Sequence, residues 1–234
     1  MIEKYLLGNG LENIESEDYD YVFSSIPCYE NLASFGVDKK NPETYKTFVD
    51  HFLSKINPKL GTVTIAFTGC RRANSQILPK FYYLNQSFFE NGYYLRDTKF
   101  YVKKEGYDAY SHTVGHVYTF QNKAKTGLYN LRKDKLFNTY GKDLWGPFYR
   151  ERVVAGEVVG LPVMIPQMCI ENFTEKGHVV CDPFGGLGST GLAAKNIGRG
   201  YLVYEIVEEI HREGMSDFGA QKDDILSIMG ADLK

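Results

Sequence analysis

No run of about 18 apolar residues, the length a membrane-spanning helix needs, occurs anywhere in the chain. Its first residues, MIEKYLLGNG, also lack the basic-then-apolar order of a secretory signal. A cytoplasmic protein with no membrane partner is therefore expected. Cysteine is scarce: Cys28, Cys70, Cys169 and Cys181 form no Cys-x-x-Cys pair and no zinc spacing. That excludes a metal knuckle and, in a reducing compartment, a disulfide framework. His112 and His116 stand four apart in SHTVGH, but no carboxylate or cysteine completes a ligand set there, so no metal is expected.

The 234 residues, 43% of them hydrophobic, suffice for one large α/β domain with a small insertion. A net charge of −2 hides an asymmetry, because residues 96–152 hold 12 Lys+Arg against 6 Asp+Glu. This +6 segment leaves −8 for the remainder and is rich in rings, among them Tyr101, Tyr107, Tyr110, Tyr118, Tyr129, Trp145 and Tyr149. Basic residues interleaved with aromatic ones suit phosphates and stacked bases. Arg132, Lys133 and Lys135 are candidate contacts to phosphates or base edges.

Strand-like runs occur at KYLL, YDYVF, GTVTIAF, YYLRDTKFYV, GHVYTF, GHVVCDPF and RGYLVYEI. Helical patterns lie between several of them. Pro42 to Lys55 places Tyr45, Phe48, Phe52 and Leu53 on one stripe, Pro79 to Glu90 stops at Asn91-Gly92, and a helix from Ser189 to about Ile197 stops at Gly198. Alternating strands and helices predict a doubly wound, mostly parallel sheet, with an antiparallel hairpin between Tyr93 and Phe120. From Gly106 to Gly160 periodicity is weak, and this segment is expected to be an insertion that carries recognition loops.

The most specific passage is VVCDPFGGLGSTGLAAKNIGRGYLVYEI, Val179 to Ile206. A strand ends in Asp182-Pro183-Phe184, glycines at 185, 186 and 188 follow, Ser189 and Thr190 open a helix, and the next strand closes on Glu205. Glycines let a backbone approach a ligand, and an acid at that strand end can accept hydrogen bonds from ribose hydroxyls. A Gly-Lys-Ser/Thr for phosphates does not accompany the loop. A cofactor with adenosine but no phosphates fits.

The passage resembles the cofactor loop of S-adenosylmethionine-dependent DNA methyltransferases that modify exocyclic amino groups, Asp-Pro-Phe-x-Gly-x-Gly-Thr/Ser-Thr. Asp182, Pro183, Phe184, Gly186, Gly188, Ser189 and Thr190 match it, with Glu205 at the ribose position. LLGNGLENI followed by YDYVFSSIPCY is similar to that family's opening, with Asn9 where the loop's acid usually stands. ILPKFYYLNQSFFENGYYLRDTKFYVKK resembles the helix and strand after the catalytic motif. The resemblance covers most of residues 1–104 and 155–210 and has the permuted order, catalytic motif first. It implies a Rossmann-like sheet with helices on both faces. The catalytic half would be residues 1–105, a small target-recognition insertion 106–160 and the cofactor-binding half 161–234. DNA is the implied partner, with a second copy of the chain as a further one; RNA is an alternative substrate.

In the amino-group enzymes an Asp/Asn/Ser side chain and a proline carbonyl accept hydrogen bonds from the target amine, and an aromatic ring stacks on the flipped base. The matching positions read Ser25, Ile26, Pro27 and Cys28. The acceptor survives, but the first proline and the ring are gone, with Tyr29 one place late. A Pro-Cys at this strand end resembles the nucleophile turn of cytosine carbon-5 methyltransferases, where a thiolate adds to carbon 6. The favoured expectation is therefore carbon-5 methylation, with Cys28 as nucleophile, Arg71 and Arg72 lowering its pKa and holding the base carbonyl, and Glu30 protonating the ring nitrogen. The alternative is amino methylation of cytosine N4 or adenine N6 through Ser25 and the Ile26 carbonyl. A third is an inactive DNA-binding homologue. Tyr29 and Phe184 are candidate walls for a flipped base, and the remaining cysteines are expected to be structural.

Overall fold

The computed structural model describes residues 1–27, 29–36, 43–68, 72–73, 76–77, 79–103, 114–125, 127, 141–148, 152–154 and 157–219. All seven strand-like runs form strands: β1 (Glu3–Leu7), β2 (Tyr21–Ser25), β3 (Thr62–Thr68), β6 (Tyr93–Lys103), β7 (Val114–Asn122), β11 (Val179–Asp182) and β12 (Gly200–Glu205). With β8 (Leu144–Phe148) they build an eight-stranded sheet in the order β1-β12-β11-β2-β3-β7-β6-β8. The first five strands in that order run parallel. β7 then runs antiparallel to both β3 and β6, the hairpin-like pair expected between Tyr93 and Phe120. Two short antiparallel pairs stand apart, β4 (Arg72–Ala73) with β5 (Gln76–Ile77) and β9 (Arg152–Val154) with β10 (Glu157–Val159).

Side chains alternate across the sheet and so feed two cores. Val22, Ile26, Val63, Ile65 and Phe67 join the cluster that includes Tyr45, Phe48, Phe52, Leu84 and Phe88. These last come from helices Glu43–Lys55 and Lys80–Glu90, whose stripes the sequence pattern anticipated. Tyr21, Phe23, Ala66, Val180 and Val203 face the opposite cluster, built with helices Met164–Phe173 and Ser189–Asn196. A last helix, Glu208–Gly219, packs against β1 and β12.

Two features depart from the sequence reading. β7 and β8 are members of the main sheet although both fall within the expected insertion 106–160. β7 is alternately buried as VGHVYTFQN, and Gly115 has no Cβ where one would strike the Tyr101 ring of β6, so this strand is core rather than decoration. Helix Met164–Phe173 was not anticipated, because MIPQMCIENF is apolar on nearly every side, and eight of its ten residues are buried. A helix wet on no face shows no amphipathic period.

The point that matters for function lies at the middle of the sheet. β11 leads into β12 on one side, and β2 leads into β3 on the other, so the strand order reverses between β11 and β2. Their carboxyl ends open a crevice where doubly wound sheets hold ligands.

Candidate functional site

The two sequence motifs meet in this crevice. At the base of the β2–β11 pair, Asp20 Oδ2 accepts the Val179 N–H at 2.8 Å. At the top, Ser24 Oγ donates to Asp182 Oδ1 at 2.6 Å. Asp182 collects two further donors, the Phe184 N–H at 3.0 Å on Oδ1 and Thr190 Oγ1 at 2.5 Å on Oδ2. One buried carboxylate thereby joins the end of β2, the turn after β11 and the first residues of helix Ser189–Asn196. Burial pushes its pKa up to about 6, against the lowering by its three hydrogen bonds.

The loop after Asp182 divides its labour. Gly186, at φ 53°, would place a Cβ with no atom within 4 Å, so here a bare left-handed backbone faces open space. Gly188, also left-handed at φ 74°, would drive a Cβ to 2.6 Å from the Phe218 ring. Gly185 would meet Val203 at 2.4 Å. Only Gly186 of the three therefore faces a space a ligand could fill, whereas Gly185 and Gly188 permit close packing. Ser189 and Thr190 likewise turn inward: Ser189 Oγ donates to the Leu161 carbonyl at 2.6 Å, and Thr190 is held by Asp182.

Glu205 ends β12 beside this loop. Its Oε2 accepts the Gly186 N–H at 2.8 Å and its Oε1 the Val207 N–H at 2.8 Å. Burial pushes its pKa up to about 7. With backbone donors from Gly186, Val207 and Ile206 on its lone pairs, acceptor capacity for a ligand hydroxyl remains. Asn9 caps the short helix Gly10–Asn13, accepting the Leu11 N–H at 3.1 Å and donating to Glu12 at 2.9 Å. The neighbouring Gly10 lies so close to Pro183 that a Cβ would come within 2.5 Å of its carbonyl oxygen. The Asn9 loop and the Asp182-Pro183-Phe184 turn are thus in contact. These residues fit an adenosine cofactor without phosphates: a glycine backbone beside open space, a carboxylate with spare acceptor capacity, and no cation placed to receive a phosphate among the loop's described residues.

At the end of β2, Ser25 is exposed, Ile26 is buried in the core and Pro27 is half-buried. Tyr29 and Phe184, expected as pocket walls, are both buried in one core cluster, 5% and 7% exposed. Phe184 packs against Phe35, Phe48 and Phe52 at ring separations of 5.3 to 5.6 Å. Cys28, Arg71, Arg132, Lys133 and Lys135 lie outside the described residues, as do the side chains of Glu30 and Arg72, and also Cys70 and His112. Cys169 and Cys181 are free and fully buried, and burial pushes both thiols well above their ordinary pKa, which makes them inert packing residues. No group of three or more metal-ligating side chains occurs among the described residues.

Ser24, the bridge between the motifs, was missed by the sequence reading. Its signal was available: a polar residue two places after Val22 and two before Ile26 must point into the core, where it needs a partner.

The sequence profile of the N6/N4 methyltransferase family, described as DNA methylase, matches residues 19–216. A curated relative in Escherichia coli (strain K12), "Putative methylase YubD", is 44% identical over 59 residues. That stretch is 25% of this chain and 26% of the relative, so the match spans about a quarter of the relative's length. The crystal structure of the M1.HpyAVI-SAM complex superposes with a TM-score of 0.66 at 18% identity, covering 92% of this chain and 99% of that one. PvuII DNA methyltransferase (cytosine-N4-specific) does so with a TM-score of 0.65 at 17% identity, covering 96% of this chain and 90% of that one. At such identities the likeness is one of fold. The carbon-5 expectation is corrected here, because the profile that spans both the Ser25 turn and the glycine loop is that of the N6/N4 enzymes, whose chemistry was the alternative. Matched from residue 19 to residue 216, the chain belongs to the N6/N4 DNA methylase family.

Proposed function

We propose that this protein is an S-adenosylmethionine-dependent DNA methyltransferase acting on an exocyclic amino group, cytosine N4 or adenine N6. The observation that carries the reading is the Ser24–Asp182 hydrogen bond at 2.6 Å, which ties the acceptor turn at the end of β2 to the cofactor loop at the end of β11. The two chemistries must lie within bonding reach of each other, and these strands are neighbours at the switch point of the sheet.

When bound, S-adenosylmethionine supplies an electrophilic methyl group. Glu205 would accept hydrogen bonds from its ribose hydroxyls and the Gly186 backbone would line its path, with Asn9 at the opposite lip. The Ser25 hydroxyl and the Ile26 carbonyl would accept the two N–H bonds of the target amine. Accepting both draws the nitrogen lone pair out of conjugation with the ring, so the amine becomes nucleophilic without a covalent enzyme intermediate. The proton released as the N–C bond forms would pass along the hydrogen bond at Ser25 toward solvent, to which Ser25 is open. The reading supplies no role for a thiolate at Cys28.

Nucleoside mass spectrometry on DNA from cells expressing wild type, Ser25→Ala and Cys28→Ser tests this. The expected result is N4-methylcytosine or N6-methyladenine in the wild type, retained in Cys28→Ser and lost in Ser25→Ala. Appearance of 5-methylcytosine that depends on Cys28 would overturn it.

A further inference from the structure

Gly186 is the one glycine of the loop that faces open space, and both of its peptide groups are fixed from outside the loop. Its N–H donates to Glu205 Oε2 at 2.8 Å, and its carbonyl accepts the Tyr5 hydroxyl. Fixing the peptide on each side fixes both φ and ψ of a left-handed residue. Tyr5 does not belong to the matched motif. It stands in β1, an edge strand of the sheet, opposite Val203 of β12.

The helix Glu208–Gly219 determines where the Tyr5 hydroxyl goes. The Tyr5 ring lies between His211, at 4.5 Å, and Phe218, at 5.4 Å and nearly parallel. His211 Nε2 also lies 3.3 Å from the Tyr5 carbonyl oxygen. One turn along, Gly214 makes room for the hydroxyl, since a Cβ there would sit 2.7 Å from Tyr5 Oη and 3.0 Å from the backbone carbon of Leu187. Phe218 occupies the space a side chain at Gly188 would need. The last described helix is thus packed against the glycine loop both directly, through Gly214 and Phe218, and through the Tyr5 ring.

We infer that Tyr5, braced by His211, Gly214 and Phe218, is a positioning residue for the methyl donor that acts through the Gly186 carbonyl. The inference rests on the cofactor reading given above. A merely structural clasp between β1 and the loop would lower stability alone, whereas a positioning residue changes donor affinity.

Two variants separate these roles. Tyr5→Phe keeps the ring stack and removes only the donor. Gly214→Ala favours the helix by intrinsic propensity yet intrudes on the Tyr5 hydroxyl. Calorimetric titration with S-adenosylmethionine and steady-state methyl transfer should give, for both variants, a Kd and a donor KM weakened roughly five- to tenfold. kcat at saturating donor should fall by less than the KM rises; the thermal midpoint of Tyr5→Phe should stay close to wild type, while that of Gly214→Ala should fall because its Cβ also crowds the Leu187 backbone. Wild-type donor affinity in both variants, with the wild type binding and methylating normally, overturns the inference and leaves the methyltransferase reading standing. A loss confined to kcat or to thermal stability overturns it as well. Failure of the wild type to bind S-adenosylmethionine overturns both.

Discussion

The glycine loop and the turn that ends β2 look alike in sequence, each a strand running into small and hydroxyl-bearing residues, yet they are built oppositely. In the loop the hydroxyls of Ser189 and Thr190 and the carboxylate of Asp182 are consumed by internal partners. What remains for a ligand is the open space beside Gly186 and spare acceptor capacity on Glu205. In the turn the inner serine, Ser24, is consumed in the same way, while Ser25 at the very end of the strand is exposed. A binding loop that must recognise an unchanging cofactor can be rigid and present backbone. A catalytic turn needs one side chain held in place by its neighbour but left open to the substrate.

Substitutions can break this contrast. The largest effect on rate is expected at Ser25→Ala, where kcat should fall about a hundredfold or more, in line with removal of one polar group that stabilises a transition state. Its thermal midpoint should barely move, because the side chain is exposed. Next comes Asp182→Ala, which strands two buried hydroxyls and an amide. It should cost about 3 kcal/mol, read as a drop in thermal midpoint of roughly 6–12 °C, and abolish donor binding. A midpoint unchanged by Asp182→Ala would remove the bridge between the motifs.

The two left-handed glycines sharpen the comparison. Gly186→Ala should cost about 1 kcal/mol of stability through φ alone, since its Cβ meets nothing, while donor affinity falls steeply because the methyl enters the open space. Gly188→Ala should reverse that order, with the greater loss in stability, because its Cβ strikes Phe218. Denaturant unfolding alongside calorimetric titration would show whether the two losses exchange places.

The smallest effects are those of pH. Glu205, at about 7, and Asp182, at about 6, both bind a proton more tightly in the folded protein than in the unfolded chain, where their values are 4.5 and 3.8. Where the folded state holds more protons, raising the pH disfavours it. Stability without ligand should therefore decline from about pH 4 to pH 7 on account of these two groups and level off above. Donor affinity should move the other way and improve as Glu205 ionises near pH 7, with proton release on binding visible as a buffer-dependent heat. A donor affinity flat from pH 6 to pH 8 would remove Glu205 as the ribose acceptor.

Much of this was legible without coordinates, and the exceptions share a cause. Seven strands and three helices announced themselves through period and stop signals, as with Tyr45, Phe48 and Phe52 on one stripe closed by Lys55. The helix at Met164–Phe173 did not, because it is buried all round, and β7 was assigned to an insertion because its flanks, not its own alternating pattern, carried the turn residues. The Pro-Cys turn misled for a different reason. A cysteine after a proline reads as a nucleophile when each residue is weighed singly, whereas the family profile weighs the turn together with the loop 158 positions later.

By itself the sequence determined which residues form the glycine loop, that no Gly-Lys-Ser/Thr accompanies it, and that a serine ends an early strand. These are matters of residue type and local spacing, which a chain displays directly. The tertiary structure alone decided which of three glycines faces open space, that Ser24 rather than Ser25 is spent on Asp182, and that Tyr5 and the Glu208–Gly219 helix pack against the loop. Those depend on contacts between segments up to 206 positions apart, as for Tyr5 with Gly186 at 181 and with His211 at 206, and no local pattern encodes what a strand will find beside it once the sheet has closed.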